Sequence, residues 1–245
     1  MKDKIYKKKI ETVQKFEFNK EVSKVFQDMI QRSVPFYQEI SRMSAELCNQ
    51  FYIPESGIYD LGCSLGILAF NLVNEMPKKT FKYFGVDSSA EMLKKAQSIV
   101  LKNKIFKKNK QEIYFVNEDI SNCKYENPSC IVSNFSLQFI NPLNRFDTIQ
   151  RIQTSLLPKG IFILSEKIIE NNEQVSVIFQ NLHHNFKKRN SYSDLEIAQK
   201  REALDNVLIP FTSADYIELL NKAGFEKIHI FFKWYNFISI LAIKE

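Results

Sequence analysis

The stretch Tyr59-Asp60-Leu61-Gly62-Cys63-Ser64-Leu65-Gly66 lies between a short apolar run and an amphipathic one. Glycines in such a place let the backbone turn sharply and approach a ligand, and the amides that open the following helix attract an anionic group. About twenty residues past Gly66, Asp87 ends the next apolar run, where a carboxylate accepts hydrogen bonds from both hydroxyls of a ribose. The plain alternative is a tight strand-to-helix turn followed by a helix cap, which Asp87 or Ser88-Ser89 would supply. A third run ends at Asn117-Glu118-Asp119-Ile120, with a polar group beside an apolar one, as the edge and face of an adenine ring require. A fourth ends at Ser133-Asn134-Phe135-Ser136.

Such residues act together only if their elements bring them to one place. Short β-branched or aromatic runs (58–61, 83–86, 113–116, 130–135, 161–165) alternate with helical segments (67–76, 90–101, 146–156). This alternation predicts a doubly wound α/β fold: parallel strands, right-handed crossovers and helices on both faces. Ligands of open α/β sheets bind outside the carboxyl ends of the strands, which is where the four polar runs fall. Two later runs, 227–232 and 236–243, are too close for a crossover and predict a C-terminal antiparallel hairpin. Amphipathic helices are expected over 18–52, with Pro35 in the first turn of the second. Further helices are expected over 173–188, 194–204, opened by a Ser193/Glu196 capping box, and 213–222. With no internal repeat or Gly/Ser linker, residues 1–245 read as a single α/β domain. It carries a Lys-rich leader (1–17), N-terminal helices (18–52) and an inserted pair (171–209).

At 245 residues, 44% hydrophobic and 25% charged, the chain has apolar surface enough for a core, which excludes collagen-like and disordered readings. No long apolar run or secretory signal appears, so no membrane association is expected and the expected compartment is the cytoplasm. Cys48, Cys63, Cys123 and Cys130 lie too far apart for a zinc knuckle and read as free thiols. The net charge of +6 is concentrated in two Lys-rich stretches, 1–10 and 101–110, read as a frayed terminus and a solvated loop rather than a phosphate-tracking surface. His183-His184 has no partner at metal-ligand spacing, so no metal site is expected and a core-facing or capping histidine is the simpler reading. Cys63 reads as a small packing residue.

These spacings and the hairpin resemble the class I S-adenosylmethionine-dependent methyltransferase fold, with Ser64 standing where the usual motif has Gly. A closer resemblance is carried by Asp28-Met29-Ile30-Gln31-Arg32-Ser33-Val34-Pro35 with Tyr37, by the 59–66 turn, and by Leu164-Ser165-Glu166-Lys167. Tyr192-Ser193, Leu195-Glu196-Ile197 and Gln199-Lys200-Arg201 complete it. Together they resemble the carboxy-S-adenosylmethionine synthase family from about Phe18 to Ile243. That resemblance implies conversion of S-adenosyl-L-methionine and prephenate to carboxy-S-adenosyl-L-methionine and phenylpyruvate, supplying a partner that modifies wobble uridine of tRNA. It also implies a homodimer that does not itself bind tRNA. The implied cofactor contacts are Tyr37, Gly62, Cys63, Ser64, Asp87, Ser88, Asp119, Ile120, Asn134 and Arg201. Ser88 departs from the Asn common there.

The implied catalytic residue is Arg201, and chemistry gives it a role: a planar guanidinium binds a carboxylate through two parallel hydrogen bonds. The alternative is a surface pair with Asp205, four residues on. Since prephenate is a dianion, further cations are expected in its pocket, with Lys167, Arg189 and Arg32 as candidates. A conventional methyltransferase acting on a small molecule or tRNA, and a noncatalytic cofactor-binding module, are the competing readings. Arg201 separates them, because a methyl donor has no carboxylate for it to hold.

Overall fold

The computed structural model describes residues 1–108 and 111–245. Its centre is a seven-stranded sheet built from β1 (Gly57–Leu61), β2 (Lys82–Asp87), β3 (Glu112–Asn117), β4 (Pro128–Asn134), β5 (Ile161–Lys167), β6 (Lys227–Trp234) and β7 (Phe237–Ile243). The strand order is β3-β2-β1-β4-β5-β7-β6. The first five strands are parallel, and β7 runs antiparallel between β5 and β6. Order reverses between β1, which is followed by β2 on one side, and β4 on the other. That is the switch point at which doubly wound sheets bind ligands.

The side-chain period of two sends neighbouring residues to opposite faces. Tyr59, Leu61, Ile131, Phe162 and Leu164 enter one core, beneath α6 (Pro142–Ser155) and α9 (Ser213–Lys222). Ile58, Tyr83, Cys130, Val132, Ile161 and Ile163 enter the other, beneath α2 (Tyr37–Phe51) and α3 (Ile67–Glu75). Burying each such aliphatic side chain contributes about 1.5–3 kcal/mol, so covering both faces is what holds the central strands in place. All four cysteines are buried and unpaired.

The remaining helices are α1 (Lys20–Ser33), α4 (Ala90–Lys102), α5 (Lys104–Lys108), α7 (Glu173–Arg189) and α8 (Asp194–Leu204). Ser89 caps α4, its side chain accepting from Met92 N–H, and the Ser193/Glu196 capping box opens α8. Two starts differ from expectation. Helix α6 begins at Pro142 behind an Asn141 cap, earlier than its apolar periodicity indicates, because proline suits the first helical position. Helix α2 begins at Tyr37, after Phe36 in a left-handed conformation, so Pro35 precedes the helix.

The two Lys-rich stretches also depart from their readings. The terminus is not frayed: its lysines are exposed, but Asp3 and Tyr6 are buried. Tyr192 Oη donates to Asp3 at 2.6 Å, and Gln199 bonds main-chain atoms of Tyr6, Lys8 and Ile10. In 101–110, residues 101 and 102 end α4, residues 104–108 form α5, and the part of the loop reading at 109 and 110 lies outside the described residues. Among the described residues no helix is long and apolar enough to cross a membrane.

Candidate functional site

A cleft of about 400 Å³ opens over the carboxyl ends of β1 to β4. Its floor begins at the turn after β1. Gly62 and Cys63 both donate their N–H to Val86 O, at 2.8 and 3.0 Å, which folds the turn back over β2. Gly62 has φ +74, and a Cβ there would lie 2.0 Å from Ser136 Oγ, so glycine is required by conformation and by space. Ser64, where the usual motif has Gly, also adopts a left-handed φ of +49. Its N–H donates to Asp87 Oδ2 at 2.9 Å.

Asp87 therefore does two jobs. Its other oxygen accepts from Ser89 N–H at 2.9 Å, so the carboxylate ties the glycine turn to the start of α4. A carboxylate has acceptor capacity for about four hydrogen bonds, and two remain for a ligand in the cleft that Asp87 lines. Burial raises its pKa, and the two amide bonds pull the other way. Asn117 Nδ2 supports the same loop by donating to the carbonyls of Asp87 and Ser88.

Asp119 and Ile120 line the next part of the cleft, with Asp119 Oδ1 fixed by Ser121 N–H at 2.7 Å. At the tip of β4, Asn134 Nδ2 donates to Ser44 Oγ at 3.4 Å, while its buried Oδ1 has no partner among the described residues. An unmatched buried acceptor beside a cleft is suited to a ligand donor. Tyr37 closes this end. Burial raises its pKa, and the charges of Asp60, Cys63 and Asp87 add to the rise. Asp60 itself is buried, accepts from Tyr83 Oη at 2.7 Å, and is pushed up to about 7 chiefly by burial.

The roof comes from outside the sheet: Phe16, Phe18 and Phe26 from the leader and α1, and Lys200, Leu204 and Leu208 from α8 and the residues after it. Ser89 Oγ donates to Phe18 O at 2.5 Å, joining roof to floor. Sequence reasoning did not single out the clamp beneath the β4 loop. There Glu166 Oε1 accepts from Leu137 N–H at 2.9 Å, and buried Arg145 donates to the carbonyls of Gln138, Ile140 and Ile209. In the sequence Glu166 stands out only as part of the Leu164–Lys167 stretch, and Arg145 carries no local signal.

Eight of the expected contacts, Tyr37, Gly62, Ser64, Asp87, Ser88, Asp119, Ile120 and Asn134, thus line one cleft. Cys63 does not: it is buried, and its N–H is engaged by Val86. Arg201 does not line the cleft of its own chain either; it is exposed and makes no ion pair with Asp205, whereas its neighbour Lys200 lines the cleft. Arg32 is a structural cation. It bonds Asn190 O, Ser191 O, Asp3 O and Asp28 and stacks at 3.7 Å over the Tyr192 ring, which removes it as a substrate cation. Arg189 is exposed at the end of α7. His183 is buried with Nε2 on Ser33 O at 2.8 Å, the core-facing reading. No group of His, Cys, Asp and Glu among the described residues is arranged to hold a metal.

A methyltransferase-domain family matches residues 58–160. Among solved structures, a putative S-adenosyl-L-methionine-dependent methyltransferase of Methanococcus maripaludis superimposes with TM-score 0.59 at 20% identity, covering 95% of this chain and 96% of that one. Human N-acetylserotonin methyltransferase, solved with S-adenosylmethionine, has TM-score 0.59 at 16% identity, covering 92% of this chain and 55% of that one. Both share the fold. Sequence likeness is much stronger to the carboxy-S-adenosyl-L-methionine synthase of Desulfotalea psychrophila, 42% identical over 94% of this chain and 92% of that protein. The synthase of Nautilia profundicola is 40% identical over the full length of both. A cleft over the strand tips and likeness along the whole length place the chain in the carboxy-S-adenosyl-L-methionine synthase family.

Proposed function

We propose that the protein converts S-adenosyl-L-methionine and prephenate to carboxy-S-adenosyl-L-methionine and phenylpyruvate in the strand-tip cleft. The observation that carries this reading is that eight residues expected from the family resemblance line a single cleft over the tips of β1 to β4. Asp119 and Ile120 take the edge and face of adenine, and Asp87 takes the ribose hydroxyls. Gly62 and Ser64 bring backbone close to the methionine end. The unpartnered Asn134 Oδ1 accepts from its ammonium, and Tyr37 covers the sulfonium.

In the reaction, prephenate loses carbon dioxide and its ring hydroxide as the ring becomes aromatic. The hydroxide takes a proton from the sulfonium methyl and leaves as water; the resulting ylide carbon forms a bond to carbon dioxide. The protein orients the two reactants and excludes water, so no nucleophile is required. Arg201, outside the lining of the strand-tip cleft but next to Lys167 and Lys187, holds the new carboxylate, and the protein acts as a homodimer. The product serves a separate enzyme of tRNA wobble-uridine modification in the cytoplasm, and this protein does not touch tRNA itself.

Mass spectrometry of the purified protein incubated with both substrates tests the proposal. The expected product is a sulfonium heavier by one carboxyl group, formed only with prephenate. Recovery of unmodified or demethylated cofactor alone would refute it.

A further inference from the structure

The fifth strand tip continues the row of polar ends with a cation. Lys167 closes β5, pairs in register with Phe237 of β7, and donates its N–H to Gln138 Oε1 at 3.3 Å. Gln138 lines the cleft. Over Phe237 packs the His183 ring of α7, edge-on, with centroids 4.9 Å apart. Lys187 follows four residues later, on the same face of α7. From α8, Lys200 donates to Ser33 Oγ at 2.9 Å, on the residue whose carbonyl holds His183. Arg201 comes next in the chain. Lys200 lines the cleft, and strand β5 and helices α7 and α8 bring Lys167, Lys187 and Arg201 close enough to one another for their charges to interact.

Among the described residues no acid acts on Lys167 or Lys187. None of the four cations is in an ion pair among the described residues. Lys187 is pushed down to about 7, first by burial and then by Lys167, Lys200 and Arg201; Lys167 is lowered by burial and by Arg201. The nearby carboxylates are Asp3, which acts on Lys200 at the border of the group, and Asp194, which acts on His184 while it pairs with Lys188 at 2.7 Å. Crowding partly buried cations without counter-charge costs stability, and such arrangements mark binding sites. Phe237, Phe186 and Trp234 supply an apolar wall alongside, Phe186 and Trp234 having ring centroids 5.5 Å apart.

We propose that Lys167, Lys187 and Arg201 form the carboxylate-binding end of the co-substrate pocket, with Lys200 at its border with the adenosyl cleft, and that this end takes a small ring-bearing dicarboxylate. The assignment rests on the co-substrate reading above and adds the side chains that hold it. Lys187 and Lys200 were not among the cations expected from sequence, because charged residues on amphipathic helices look like solvated ones until the helices are docked.

The test is calorimetric titration of prephenate into protein loaded with S-adenosylhomocysteine, for the wild type, Lys187→Met, Lys167→Met and Lys187→Arg. Loss of one charge-assisted contact weakens prephenate binding about tenfold or more in the Met variants. Lys187→Arg keeps most of the affinity, and S-adenosylhomocysteine binds all four proteins equally. The ligand-free Lys187→Met protein has a higher Tm than the wild type, because an uncompensated cation is gone. Wild-type prephenate affinity in both Met variants would overturn the proposal, and so would a Lys187→Met protein that fails to fold. If the wild type forms the carboxylated product while the Met variants bind prephenate normally, only this subsite fails. If the wild type forms none, the functional reading fails first.

Discussion

Gly62 and Gly66 share almost the same left-handed conformation, φ +74 and +73, yet their surroundings differ. An alanine Cβ at 66 would meet Phe115 at 3.4 Å, an ordinary contact; at 62 it would meet Ser136 Oγ at 2.0 Å and Ser136 Cβ at 2.6 Å. Gly66→Ala thus isolates the conformational penalty, about 1–2 kcal/mol. Gly62→Ala adds an overpacking term of about 1–3 kcal/mol. In the Gly62→Ala background, Ser136→Gly removes both clashing atoms and restores most of that second term, leaving the first. Urea denaturation of these three variants, of Ser136→Gly alone and of the wild type gives the differences, and the completed cycle gives a coupling energy of about 1–3 kcal/mol. Because Ser136 lines the cleft, Gly62→Ala also displaces it there and weakens S-adenosylmethionine binding, unlike Gly66→Ala. Equal stability losses for the two alanine variants, or no coupling with Ser136, would refute the account of why the first glycine of the turn is glycine.

Arg201→Lys is expected to weaken the carboxylated product, by about 1.5–3 kcal/mol for a charge-assisted pair, while the unmodified cofactor binds normally; equal losses in calorimetry would remove the assigned role. Asp60, pushed up to about 7 from 3.8, keeps a proton when folded that it loses when unfolded. Its contribution is therefore full below about pH 4 and is lost as pH rises toward 7, at roughly 1.4 kcal/mol per pKa unit. Asp60→Asn should flatten that part of the stability profile, and an unchanged profile between pH 4 and 8 in urea titrations would exclude Asp60 as its source. Asp3→Ala strands the Tyr192 hydroxyl and is expected to cost about 1–3 kcal/mol; a loss under about 0.5 kcal/mol would mean that the leader is not a docked element.

The legible parts of this molecule are those fixed by local chemistry. The Gly62–Gly66 turn, the polar strand tips, the Ser193/Glu196 capping box and the close spacing of β6 and β7 each carry their cause within a few residues. The docking of the leader is not legible locally because its partners, Tyr192 and Gln199, lie far along the chain, and five exposed lysines hide the buried Asp3 and Tyr6 among them. Arg32 shows the same limit from the other side. Its charge suggests a ligand, but its bonds to carbonyls near the start of α8 are visible only once α1 and α8 meet. At the site, Ser89 rather than Asp87 caps α4, and Asp87 ties the glycine turn to Ser89 while keeping acceptor capacity for a ribose.

The interleaving of β7 between β5 and β6 bears on how the chain folds as it is made. Strand β6 leaves the ribosome before β7 but joins the sheet only through it. Until β7 emerges, the hydrogen-bonding edge of β5 stays open and β6 has nothing to pair with, a state prone to association with other nascent chains. The hydrophobic face of α9 waits in the same interval. Translation arrest or truncation within the final hairpin therefore removes two strands at once and leaves β5 as an unpaired edge.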